Sequence, residues 1–173
     1  MRASCFSVLL LLLGSVFSIH ATTVKRMDLD QLVSGAQEIV VGKVRDSETY
    51  WSGDGRFILT RHTIEVSETL KGVNDGSVEI TTIGGTIGDL TLYVAGMPVF
   101  EAGEETVVFL ESAGPYRTVV GLGQGKFSLA DDFVTNSVSS LEFADPGPGR
   151  VTRMRFDGFR DAIRQRLQSG NAR

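Results

Sequence analysis

His62 is the first residue to weigh, because a hydrolytic triad needs a nucleophile, an imidazole and an orienting carboxylate. It lies between Arg61 and Thr63 in a stretch of extended pattern, where a solvent-facing or hydrogen-bonded imidazole is the ordinary case. No Gly-x-Ser-x-Gly elbow accompanies it. Gly121-Leu122-Gly123-Gln124-Gly125-Lys126 has the glycine density of a phosphate loop, but Phe127 stands where a Ser or Thr is required and a strand pattern follows. Without a helix behind it, the loop lacks the dipole and the row of free N–H groups that hold phosphate. The acidic pairs Glu104-Glu105 and Asp131-Asp132 are adjacent. Neighbours on an extended chain point to opposite faces, so each pair reads as solvated turn chemistry and not as an acid/base couple. No Asp-x-Asp-x-Asp run suits calcium, and Thr22, a conceivable N-terminal nucleophile, has no supporting motif. The sequence therefore predicts no catalytic residue, no metal ligands and no cofactor.

Two groups of side chains suit binding instead. Tyr50, Trp51 and Phe57 flank the turn Ser52-Gly53-Asp54-Gly55 and could form a stacking platform for a glycan or peptide; the plainer reading is that strand-end aromatics cap a core. Arg160, Arg164 and Arg166 belong to a basic tail: residues 150–173 carry seven Arg against two Asp, a net charge of +5. Residues 22–149 carry nine Lys and Arg against nineteen Asp and Glu, a net charge of −10. Such asymmetry implies that the tail docks on its own acidic body or that it makes a weak contact with an anionic surface. Nucleic acid is excluded as a partner, since phosphate binding needs a basic groove and the body is acidic.

These residues need a scaffold, and the chain of 173 residues, with a formal net charge of −4, is long enough for one domain and a tail. Its first part predicts a secretory signal peptide over residues 1–21: Arg2, an apolar run from Val8 to Phe17, then Ser18-Ile19-His20-Ala21. Cleavage is expected after Ala21 or Ser18, leaving an exported protein, periplasmic or secreted, with no transmembrane segment in the mature chain. The run is too short to span a bilayer. Cys5 falls inside the signal, so the mature chain has no thiol for catalysis, zinc or disulfides and must rely on its core.

The elements follow from periodicity. Leu29, Leu32, Val33 and Ala36 recur at helical spacing behind Asp28, predicting a short helix within Met27–Gln37 with Asp28 as its cap. Glu38–Val44 is a β-branched apolar run that predicts a buried strand, extended through Tyr50 to the Ser52–Gly55 turn and followed by a strand over Arg56–Leu70. Further strands are predicted at Ser77–Ile83, Leu90–Val94, Thr106–Leu110, Tyr116–Gly121 and Lys126–Leu129. Asp145-Pro146-Gly147-Pro148-Gly149 reads as a linker, and Phe156, Phe159, Ile163 and Leu167 mark an amphipathic helix in the tail. The expected domains are thus a β domain over 22–144 and a linker with basic helix over 145–173.

Short strands separated by regular turns mean a sandwich or a small barrel. Ser34–Val44, Thr63-Ile64-Glu65-Val66 ahead of Leu70-Lys71-Gly72, Gly96-Met97-Pro98-Val99-Phe100, and Gly103-Glu104 before Val107–Leu110 resemble the pattern of an uncharacterised family of exported bacterial proteins. More distantly they resemble netrin-like domains, the fold of tissue inhibitors of metalloproteinases. The resemblance spans about residues 30–130 and implies a mainly β fold: a five-stranded Greek-key barrel of the OB type, with helices packed outside. Netrin-like inhibitors chelate the target's zinc through an N-terminal cysteine, which neither cleavage site would expose here. The expected function is a non-enzymatic binding module for an envelope or extracellular protein or glycan. The alternative is a small secreted hydrolase or protease-inhibitor-like protein.

Overall fold

The computed structural model describes residues 23–74, 76–136, 138, 142–143 and 153–170. The whole predicted signal peptide, residues 1–21, and the Asp145–Gly149 linker lie outside them. In chain order the elements are β1 (Thr23–Val24), α1 (Leu29–Gly35), β2 (Glu38–Trp51), β3 (Ile58–Lys71), β4 (Ser77–Ile83), β5 (Gly85–Ile87) and β6 (Leu90–Leu92). They continue with β7 (Glu105–Ala113), β8 (Tyr116–Val119), a 3-10 turn (Leu122–Gly125), β9 (Lys126–Ala130), β10 (Phe133–Thr135), β11 (Glu142–Phe143), β12 (Arg153–Arg155) and α2 (Phe156–Gly170).

One large antiparallel sheet dominates the protein, in the order β12-β10-β9-β7-β2-β3-β4, with β8 paired to the far half of β7. Strand β8 also lies alongside β4, although no ladder joins them. The structure is mainly β, as expected. The helix within Met27–Gln37 and the long β2–β3 hairpin fall where the sequence places them. The Leu90–Val94 strand is shorter than expected: it ends at Leu92 and pairs only with β5. Five short strands, β1, β5, β10, β11 and β12, carry too few residues to show a period and are not expected from the sequence.

The central strands read as unbroken apolar runs because both their faces are covered. Ile39 and Val41 of β2, with Val107 and Phe109 of β7, pack beneath the helices among Leu29, Leu32, Phe127, Phe159 and Ile163. The alternate residues Val40, Val44, Val108 and Leu110 join Ile64, Val78, Ile80, Phe100 and Val119 in a second core on the other face. Strand alternation divides one sequence run between two cores. Gly42 sits between them at a register shift opposite Val66. A Cβ there would meet the Glu65 carbonyl oxygen and, at 2.8 Å, Ile64 Cγ2. Gly42→Ala is therefore expected to cost about 1–3 kcal/mol, as overpacking does, read from urea unfolding; a cost near zero would show that the hairpin shifts freely.

Helix α1 is fixed at both ends. Asp28 accepts from the Gln31 backbone N–H at 2.8 Å while Gln31 Oε1 accepts from the Asp28 N–H at 3.0 Å, a reciprocal capping box. At the other end the Lys71 ammonium donates to the carbonyls of Val33 at 2.8 Å and Ala36 at 2.5 Å. A cation there complements the negative helix terminus. Helix α2 lies over the same core, with Phe159 and Ile163 fully buried.

Candidate functional site

The β2–β3 hairpin ends in the Ser52–Phe57 turn. Ser52 Oγ accepts from the Phe57 N–H at 3.0 Å and donates to Asp54 at 2.6 Å, and Arg56 Nε donates to the same carboxylate at 2.5 Å. The hydrogen bonds from Ser52 and Arg56 hold the Asp54 carboxyl below its ordinary pKa. The turn is thus a tied loop, and it sets Phe57 at the mouth of an open groove.

That groove, of about 700 Å³, is lined by Ser52, Asp54 and Phe57 of the turn and by Leu59, Thr81 and Ile83 of β3 and β4. Glu111, Ala113, Tyr116, Thr118 and Val119 of the β7–β8 hairpin line it too, together with Met97 and Leu122. Three of its apolar residues are substantially exposed: Phe57 at 47%, Ile83 at 41% and Tyr116 at 38%. Large apolar side chains left in water around one concavity mark a binding surface, whereas scattered ones mean little.

The structure separates the three aromatics of the predicted platform. Phe57 lines the groove; Tyr50 and Trp51 do not. As successive residues of β2, Tyr50 and Trp51 point to opposite faces. Tyr50 lies opposite Leu59 with the Arg61 guanidinium 5.1 Å from its ring, and Trp51 lies opposite Ile58, 44% exposed. The groove residues that sequence reasoning missed are Leu59, Ile83, Met97, Tyr116 and Leu122. A signal existed for two of them: the face carrying Glu65, Thr63 and Arg61 on β3 turns apolar at Leu59, opposite Ile83.

Arg160, Arg164 and Arg166 of the tail face their own body. Arg164 donates to Glu68 of β3 at 2.8 Å, Arg160 approaches the other oxygen of that carboxylate at 3.6 Å, and Arg166 pairs with Asp30 of α1. Of the two readings open for the charged tail, the docked one is what the structure displays. The positive-φ residues Asp131 and Asp132 form the two-residue turn between β9 and β10, as expected of turn carboxylates. Glu104 does more than expected: it accepts from the Lys126 ammonium and from Ser128 Oγ at 2.5 Å. Burial raises the Glu104 pKa, but the bonds from Lys126 and Ser128 outweigh it and leave the carboxyl below its ordinary value.

His62 is buried, 5% exposed, with its ring 4.6 Å from that of Phe100. Its Nδ1 lies 2.7 Å from Ser47 Oγ and its Nε2 lies 3.0 Å from Thr82 Oγ1. A serine beside an imidazole has the outline of a nucleophile and its base. The orienting group here is a hydroxyl where a carboxylate would stabilise the imidazolium, and burial lowers the His62 pKa to about 4. So weak a base removes little from a serine at neutral pH. The imidazole is a satisfied core group linking β2, β3 and β4.

Among the described residues no cluster of His, Cys, Asp or Glu could hold a metal ion, and no helix is long and apolar enough to cross a membrane. No known protein family, curated protein sequence or solved structure matches the chain.

Proposed function

We propose that the protein is an exported, non-enzymatic recognition module that receives its ligand in the groove between the Ser52–Phe57 turn and the β7–β8 hairpin. The observation that carries this reading is the convergence of exposed Phe57, Ile83 and Tyr116 on one concave surface. The barrel reading is supported by neighbour relations: β2 pairs β3 and β7, β3 pairs β4, β7 pairs β8, and β8 lies alongside β4. That circuit of five strands is the order of an OB barrel. In such barrels the loops after the first and fourth strands flank the ligand face. Here those loops are the turn and the hairpin that line the groove, which also fits the netrin-like resemblance. Export rests on the signal-like N-terminus.

The test is capture from solubilised envelope and culture filtrate on immobilised protein, comparing wild type with Ile83→Asp. Ile83 is exposed, so the charge should leave the fold intact. The expected result is material retained at high salt by wild type and released by the variant. Equal retention by both would overturn the groove as the recognition site.

A further inference from the structure

The groove is closed beneath, because β8 lies alongside β4. Strand alternation decides which side chains stand over that floor. Val78 and Ile80 of β4, with Leu110 and Val119 of the β7–β8 hairpin, turn into the second core. Thr81, Ile83, Glu111, Ala113, Tyr116 and Thr118 therefore stand on the outer face, where the groove runs, with Glu111 opposite Thr118 and Ala113 opposite Tyr116. A ligand here meets side chains and not the edge of a strand. The lining is mostly apolar with a few polar groups. The volume, about 700 Å³, lies within the range of about 300–1,000 Å³ usual for sites that take small organic molecules.

Charge narrows the ligand further. The charged residues lining the groove are Asp54 and Glu111, with no Lys or Arg among them. Asp54 is already paired with Arg56. Glu111 is half-buried and has no ion pair among the described residues. The arginines of the neighbouring strands are committed elsewhere. Arg117 of β8 points to the opposite face and pairs with Glu38 at 2.9 Å. Arg61 of β3 approaches Glu48 at 3.9 Å and Glu79 at 3.8 Å, with its guanidinium over the Tyr50 ring. A carboxylate without a counter-charge on the wall of an apolar groove attracts a cation and repels an anion, and the net charge of −10 over residues 22–149 adds to both effects. A neutral apolar molecule would strip water from Glu111 and give it no partner, which costs free energy.

Taking the groove as the recognition site, we propose that its ligand is a small amphiphilic cation, a protonated amine carried on an apolar body. The ammonium bonds to Glu111, with the Thr118 hydroxyl beside it, and the apolar body lies among Phe57, Ile83 and Tyr116. The apolar contacts supply affinity, and the single unpaired carboxylate supplies selectivity for charge.

The probes are phenylbutylamine, phenylbutanol and phenylbutyrate, each with its ring and its head group at opposite ends of the chain. Each is titrated at neutral pH into the 15N-labelled protein purified from cells expressing the full chain. The amine is expected to give saturable amide shifts at Ile83, Glu111 and Thr118. It should bind at least about three-fold more tightly than the alcohol and at least about ten-fold more tightly than the carboxylate. Glu111→Gln should erase the gap between amine and alcohol. Glu105→Gln, which removes an exposed charge at the other end of β7, should preserve it. Equal affinities for amine and alcohol, equal effects of the two substitutions, shifts confined to another surface, or no shifts would each overturn the assignment. If the amine fails while capture still depends on Ile83, the ligand class alone is wrong and the captured material names the occupant. If capture ignores Ile83→Asp and the amine leaves the groove unshifted, the groove reading falls as well.

Discussion

Replacing Phe159 by Ala is expected to lower the free energy of unfolding by about 3–5 kcal/mol, the range for deleting a buried aromatic ring. Phe159 is fully buried, with its ring 4.7 Å from that of Phe127 and 6.2 Å from that of Phe109. Removing it opens a void between α2 and the sheet that neighbouring side chains held by β7 and β9 fill poorly. Arg164→Ala, by contrast, is expected to cost under about 1 kcal/mol, because Arg164 is half-exposed and solvent screens its pair with Glu68. Urea unfolding of the two variants decides what holds the tail to its body. Comparable costs would make α2 an electrostatically docked appendage; the expected disparity makes it part of the core. In that case, deleting residues 150–173 removes core residues and unfolds the domain, so a charge-reversed Arg160, Arg164 and Arg166 variant is the sound test of any contact with an anionic surface.

The docking of α2 illustrates what the sequence makes legible. Phe159, Ile163 and Leu167 are spaced by four, so a buried helical face is readable from the residues alone. The surface it meets is not, because Glu68 and Asp30 lie 96 and 136 positions from their arginine partners and no local pattern joins them. Asp28 shows the opposite case: its capping bonds go three residues along the chain, so the cap is legible in four letters. The two-core arrangement is half legible. Ile39-Val40-Val41 announces a strand covered on both faces, but which alternate residues share a core depends on pairing with β7, far along the chain.

The groove was the least legible feature, for the same reason. Tyr50, Trp51 and Phe57 are close in sequence, and closeness suggested a shared platform; strand alternation sends the first two to opposite faces and leaves Phe57 to partners from β4 and β8. A binding surface assembled from four separate segments has no periodicity to betray it. What could have marked it is an exception to pattern: apolar residues at Leu59 and Ile83, on a face that is otherwise charged or hydroxylic.

His62 supplies the second large expected effect, in stability against pH. Its imidazole titrates near 6.5 in the unfolded chain and at about 4 in the folded one, because burial disfavours the charged form. Above pH 6.5 it is neutral in both states and its contribution to stability is complete. As the pH falls, the unfolded chain binds a proton that the folded chain refuses until about pH 4, so stability drains away across that window. At about 1.4 kcal/mol per unit of pKa difference the loss approaches 3 kcal/mol. Among the described residues no carboxylate bonds to the ring to soften it: the ring meets the hydroxyls of Ser47 and Thr82 and the ring of Phe100. His62→Gln removes the titration while keeping a donor and an acceptor between the two hydroxyls, so subtracting its urea-unfolding profile isolates this contribution from the carboxylates that also titrate below pH 5. The difference is expected to grow from pH 6.5 down to pH 4, and the His62 Hε1 resonance of the folded protein should titrate with a midpoint near the lower value. A midpoint near 6.5, with parallel profiles for the two proteins, would show that water reaches the ring and that the second core is open at β3.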